Sequence, residues 1–140
     1  KVLVEHPKYT TGEHRRVFNS CYHLIQYYLI NGYSVLFDAT NLNEEFRIYL
    51  YDIADAPGAP LAVVHATAPQ NAVRQRLKQR KADRHANTYS DAGWLIYTRL
   101  APVEEPVERE HYALDTSKDI GPVLEQVVEW ARSNGQIKLD

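Results

Sequence analysis

Apolar positions in this chain fall into two periods that alternate along its length. From Thr11 to Asn31 the period is helical: Val17, Cys21, Leu24 and Tyr28 predict the buried stripe of a long helix. Asn31-Gly32 predicts its end, because glycine suits the left-handed cap. Tyr33-Ser34-Val35-Leu36-Phe37-Asp38 is then a short apolar run and predicts a buried strand. Thr40-Asn41-Leu42-Asn43 can cap a second helix, and Glu44 and Glu45 favour its first turn. That helix is expected to run to about Ala56, where Pro57-Gly58 breaks it. Leu61 to Ala66 predicts a second buried strand. Pro69 opens a third helix that ends near Arg84. Asp83 to Tyr89 is polar and reads as a mobile connection. Ser90 can cap a helix through Leu100, with Trp94 and Tyr97 on one face. Ala101 to Glu110, with Pro102 and Pro106, predicts a loop, and His111 to Asp115 a third strand. Asp119 can cap the last helix, in which Ile120, Leu124, Val127 and Ala131 form the inward stripe.

Helices alternating with strands imply a single α/β domain over residues 1–140, a parallel sheet covered by helices on both faces. Such sheets bind ligands beyond the carboxyl ends of their strands. Two of the predicted strands end in aspartate, Asp38 and Asp115, and the other runs into Ala66-Thr67-Ala68-Pro69. The expected rim is therefore polar.

Composition narrows the chemistry. A hydrophobic share of 44% and a charged share of 24% over 140 residues are ordinary for a globular domain. A net charge of −2 argues against binding nucleic acid through bulk electrostatics, though not against a small basic pocket. The single cysteine, Cys21, excludes an internal disulfide. No histidine pair has metal-ligand spacing, so a zinc site is not expected. No apolar run approaches the length of a membrane span, nothing resembles a signal peptide, and the expectation is a cytoplasmic protein. Methionine is absent even at position 1, as expected of a chain that begins within a longer one.

Several residues are candidates for chemistry. Asp38, at the end of an apolar run, is well placed to hold magnesium through water; its alternative is a turn or capping role. Thr40 and Asn41 beside it suit capping or a ligand. Arg47 can reach a phosphate or pair with Glu44. Arg76, Arg80 and Arg84 recur at four-residue spacing and share one helix face, where a polyanion would relieve their repulsion; otherwise they form a solvated face. Arg74 and Lys78 lie off that face and read as solvated. Asp115-Thr116-Ser117-Lys118 leaves the last strand at the ligand edge or simply turns into the final helix. Tyr9, Tyr22, Tyr27, Tyr28 and Tyr33 read as packing residues, as do Trp94 and Trp130. The histidines receive no role.

Val35-Leu36-Phe37-Asp38-Ala39-Thr40-Asn41-Leu42, followed by Arg47, resembles the aspartate-ending strand of the polynucleotide kinase and zeta-toxin group of P-loop ATPases. Further segments fit in order: His6-Pro7-Lys8-Tyr9-Thr10, Arg76-Leu77 with Arg80, Tyr89-Ser90-Asp91-Ala92, Glu104-Glu105-Pro106 and Asp115-Thr116-Ser117. The resemblance implies a three-layer α/β/α P-loop NTPase-like fold and an ATP- and Mg2+-dependent kinase phosphorylating a hydroxyl on a small molecule or a nucleic-acid end. It implies that Asp38 supports the metal and that Arg76 and Arg80 act as lid arginines. It further places Arg47, Arg84 and Asn41 on phosphate or substrate, and Ser117 and Lys118 near the nucleotide.

The sequence departs from that group in one large respect. It contains no G-x-x-x-x-G-K-[ST] loop and no following Asp-x-x-Arg segment. Both are expected upstream of Lys1, so that these 140 residues form an inactive part of a larger domain. In the resembled fold a strand absent here lies between this chain's first and second strands. It is then present upstream, supplied by another chain, or replaced by a different closure of the sheet. Two other functions compete with the kinase: a non-catalytic binding or scaffold remnant, and a receiver-like signalling domain, disfavoured because no cluster of acids with a lysine can be assembled.

Overall fold

A computed structural model describes residues 11–82 and 93–134. Its elements run α1 (Thr11–Ile30), α2 (Glu44–Asp55), β1 (Val64–Thr67), α3 (Gln70–Ala82), α4 (Trp94–Leu100), a 3-10 turn (Ala101–Val103), β2 (Tyr112–Asp115) and α5 (Gly121–Ser133). They fall into two compact units. The described residues up to Asn41, with Glu45–Leu61, form the first; Leu42–Glu44 and the described residues from Ala62 onward form the second.

In the first unit, α1 and α2 pack around Tyr22, Ile25 and Ile53, with Phe18, Leu29, Phe37 and Leu50 against them. The rings of Phe18 meet Tyr22 and Phe37 edge-on, at centroid distances of 5.9 and 6.3 Å. The buried stripe of α1 is thus Phe18, Tyr22, Ile25 and Leu29, one position away from the predicted one; Leu24 and Tyr28 are exposed. Both stripes satisfy the helical period, and the packing of Phe37 and Tyr49 selects between them. Tyr27 and Tyr33 are exposed as well, so among the described tyrosines of this group Tyr22 is the one in the core, while Tyr9 lies outside the described residues. Burial pushes the Tyr22 phenol above its ordinary pKa.

Both helices end as predicted. Gly32 has φ +78°, and the amide of Tyr33 donates to the Tyr28 carbonyl at 3.0 Å, which closes the left-handed cap of α1. Gly58, at φ +69°, does the same for α2, with Ala59 donating to Ala54.

The run from Tyr33 to Asp38 is not a strand: it joins no ladder among the described residues. A strand exists only through hydrogen bonds to a neighbour, and an apolar run does not itself supply one. Phe37 is anchored on α1, while Leu36 is 97% exposed.

The second unit holds a two-stranded parallel sheet in which Val64 pairs with Tyr112, His65 with Ala113, Ala66 with Leu114 and Thr67 with Asp115. The parallel arrangement agrees with the sequence reading, although β1 begins three residues later than predicted and includes Thr67. Leu114 is buried, and α5 packs beside β2. Leu124, expected inward on α5, is 42% exposed. The Asp119 carboxylate accepts the Gly121 amide at 2.9 Å as α5 begins. Within this unit the Glu105 carboxylate accepts the Glu44 amide at 2.6 Å, and the Glu105 amide donates to the Leu42 carbonyl at 2.9 Å. The predicted Ser90 cap and the Asp83–Tyr89 connection lie outside the described residues.

The small core of the first unit concentrates its stability in few side chains. Ile53→Ala is expected to cost about 2–5 kcal/mol in urea unfolding, whereas Leu36→Ser is expected to stay within about 0.5 kcal/mol of the parent.

Candidate functional site

The second unit gathers its polar groups where β1 and β2 end. Parallel strands finish side by side, so Thr67 and Asp115 lie level in the ladder. Thr116 continues the pairing by one residue, its amide donating to the Thr67 carbonyl at 2.8 Å and its hydroxyl to the same oxygen at 2.9 Å. Arg76, from α3, grips Thr116 with both ends of its fork. Nη1 donates to the Thr116 hydroxyl oxygen at 2.8 Å and Nη2 to its carbonyl at 2.5 Å. The planar guanidinium is suited to such a two-point contact, and a hydrogen bond from a charged donor contributes about 1.5–3 kcal/mol. α3 is thereby fixed to the strand ends.

The next three residues form a turn around Asp115. Its Oδ1 accepts both the hydroxyl and the amide of Ser117, at 2.7 and 3.0 Å, and its Oδ2 lies 3.3 Å from the Lys118 ammonium. The Ser117 hydroxyl, then its amide, and Lys118 to a smaller degree, hold the Asp115 carboxyl below its ordinary pKa.

Two further clusters in this unit escaped the sequence reading. His65 Nε2 meets Glu104 at 2.8 Å, and the His65 and His111 rings lie 5.6 Å apart. Arg74, expected to be solvated, stacks over Trp94 at 5.5 Å, and Trp94 stacks on Tyr97 at 5.3 Å. The His65–Glu104 and Arg74–Trp94 contacts are not legible locally, since each joins residues far apart in the chain, whereas the Trp94–Tyr97 stack lies on the one helix face expected from the sequence.

The first unit presents a separate group of candidates. Asp38 is exposed at the end of the Tyr33–Asp38 run. Asn41 has φ +35°, a left-handed conformation that costs a side-chain-bearing residue about 1–3 kcal/mol. Its Oδ1 is buried and accepts no hydrogen bond among the described residues. Arg47 is 6% exposed, and its Nη1 donates to the Asn41 carbonyl at 2.7 Å. Arg47 therefore supports the backbone that follows Asp38.

The candidates thus divide. Arg76, Ser117 and Lys118 come together at the strand ends. Asp38, Asn41 and Arg47 lie along one short segment. Arg80 is half-buried one turn beyond Arg76, and Arg84 is outside the described residues. The signal that could have revealed Thr116 and Thr67 was the pair of threonines at two strand exits. Among the described residues no helix is long and apolar enough to cross a membrane.

A family model described as an AAA domain matches residues 3–95, well over half of the chain, and the chain belongs to that family. The family is P-loop NTPase-like and kinase-type, which gives the chain a nucleotide-binding, kinase-like character and an α/β fold with which the parallel strands agree. No curated protein and no solved structure gives a significant match.

The hydrogen bonds to Asp115 set a pH dependence. Because its folded pKa is depressed, its contribution to stability is present above the unfolded value and is lost as pH falls through the folded one. Ser117→Ala is expected to raise the Asp115 titration midpoint toward that of an ordinary carboxyl, as followed by carboxyl-carbon NMR. An unchanged midpoint would assign the shift to other groups.

Proposed function

We propose that this chain forms the lid and strand-end part of an ATP-dependent phosphotransferase acting on a hydroxyl group, on a small molecule or a nucleic-acid end. The observation that carries the reading is the gathering of Arg76, Thr116, Ser117 and Lys118 at the carboxyl ends of two parallel strands, in a chain of a kinase-type family. Such rims are where open α/β sheets hold ligands.

Roles follow from the surroundings of each side chain. Arg76, fastened to Thr116, is a positioning residue that orients α3. Arg80, farther along α3, neutralises charge on the phosphoryl group in transit. Ser117 and Lys118 face the nucleotide. Asp38 is the residue that would hold magnesium, whose partly hydrated binding one carboxylate suits. Among the described residues no group of three or more His, Cys, Asp or Glu side chains could cage a metal; one exposed carboxylate instead fits the partly hydrated way in which magnesium binds. Magnesium, when bound, offsets the charge of the triphosphate. The 140 residues contain no G-x-x-x-x-G-K-[ST] loop, so in this reading the phosphate cradle comes from residues outside them.

A second reading, a non-catalytic binding or scaffold module, is favoured by one observation: the Arg76 fork is already engaged by protein oxygens.

Calorimetric titration of MgATP into the 140-residue chain is expected to give no resolvable heat, and micromolar binding would contradict the absence of a phosphate cradle. In a protein that also carries a Gly-rich phosphate loop, Arg80→Ala is expected to lower turnover by on the order of 10³-fold with ATP affinity nearly unchanged. Undiminished turnover would remove Arg80 from the mechanism and favour the scaffold reading.

A further inference from the structure

Two unfavourable features coincide at Asn41. It is the one residue other than glycine with positive φ among those described. Its side-chain Oδ1 is buried there without a hydrogen-bond donor. The arrangement is supported, because the buried guanidinium of Arg47 holds the Asn41 carbonyl at 2.7 Å. A glycine would adopt this φ without strain and would bury no orphan oxygen. An observed backbone outlier joined to an unsatisfied buried acceptor points to a role beyond the fold.

The chemistry of the orphan atom says what it can take. An amide oxygen accepts hydrogen bonds and cannot donate them. Phosphate oxygens are acceptors too, so this atom does not select a phosphate. It selects an O–H donor. Asp38, three residues upstream and exposed, is also an acceptor.

We propose that Asn41 Oδ1 docks a hydroxyl-type donor, either the hydroxyl of the phosphate-accepting substrate or a water on magnesium beside Asp38, with Arg47 as the positioning residue. The identity of the donor's owner rests on the phosphotransferase reading; the donor site itself does not. Asn41 Oδ1 thus meets a hydrogen-bond donor, the opposite sense to a deprotonated phosphate oxygen.

The test uses the 140-residue chain with 15N-labelled asparagine, the Asn41 side-chain signal being identified by its loss in Asn41→Gly. Mg2+ alone, ribose and inorganic sulfate, an oxyanion that carries no O–H at neutral pH, are titrated separately. The expected result is a saturable shift of that signal with Mg2+ or with ribose, and none with sulfate. A response to Mg2+ that is lost in Asp38→Asn places the donor on metal-bound water; a response to ribose places it on a substrate hydroxyl. Asn41→Gly is expected to melt at a higher temperature than the parent, the strain and the orphan atom having been removed. In Arg47→Lys the dissociation constant of the responding probe is expected to rise severalfold while circular dichroism stays unchanged; an unchanged constant would remove Arg47 from the site. A shift with sulfate alone, no shift with any probe, or a lower melting temperature for Asn41→Gly would overturn the proposal. A chain that responds as expected within a protein that transfers no phosphoryl group would retain the site and refute the phosphotransferase reading. The reverse pattern would do the opposite.

Discussion

The Thr116 hydroxyl is the contact on which the arrangement of the second unit depends. It donates to the Thr67 carbonyl and accepts from Arg76, so one side chain joins the ends of both strands to the helix that follows the first. A two-stranded sheet has little cohesion of its own. Here the buried Leu114, the flanking α5 and the Arg76 fork hold the pair in register. Because the strands are parallel, their exits lie together, and the polar groups of both turns accumulate at one rim. The functional reading follows from that geometry and from the family, while the choice of substrate does not enter it.

In the first unit the governing constraint is an apolar segment without a ladder among the described residues. Phe37 fixes one side of it to α1, and Leu36 faces outward. The following turn ends in the strained Asn41, held by Arg47. Rigid support of a strained loop from a buried cation is costly unless the loop does something, which is why Asn41 and not the more obvious Asp38 carries the additional inference. Asp38 is an acid at an accessible position, a common situation; an orphaned acceptor in left-handed backbone is a rare one.

Much of this was legible in the sequence, for local reasons. Asn31-Gly32 and Pro57-Gly58 mark helix ends because cap geometry is set within a few residues. The alternation of helix and strand patterns foretold parallel pairing. The errors arise where a distant partner decides. The α1 stripe was displaced by one residue because Val17, Phe18, Cys21, Tyr22, Leu24 and Ile25 support two helical faces, and only tertiary packing chooses between them. The Tyr33–Asp38 run encodes apolar character but not a neighbouring strand. Arg76 and Thr116 are forty residues apart, so no local pattern could join them. The row of Arg76, Arg80 and Arg84 was readable as a charged face, whereas the capture of its first member by a threonine was not.

The most direct test of the account is a double-mutant cycle on Arg76→Met and Thr116→Val, read by urea unfolding. If the fork is what ties α3 to the strand ends, the two changes should be non-additive, with a coupling energy between about 0.5 and 3 kcal/mol. Additivity within about 0.3 kcal/mol would mean that the contact contributes nothing, and the convergence of polar groups at that rim would lose its physical basis.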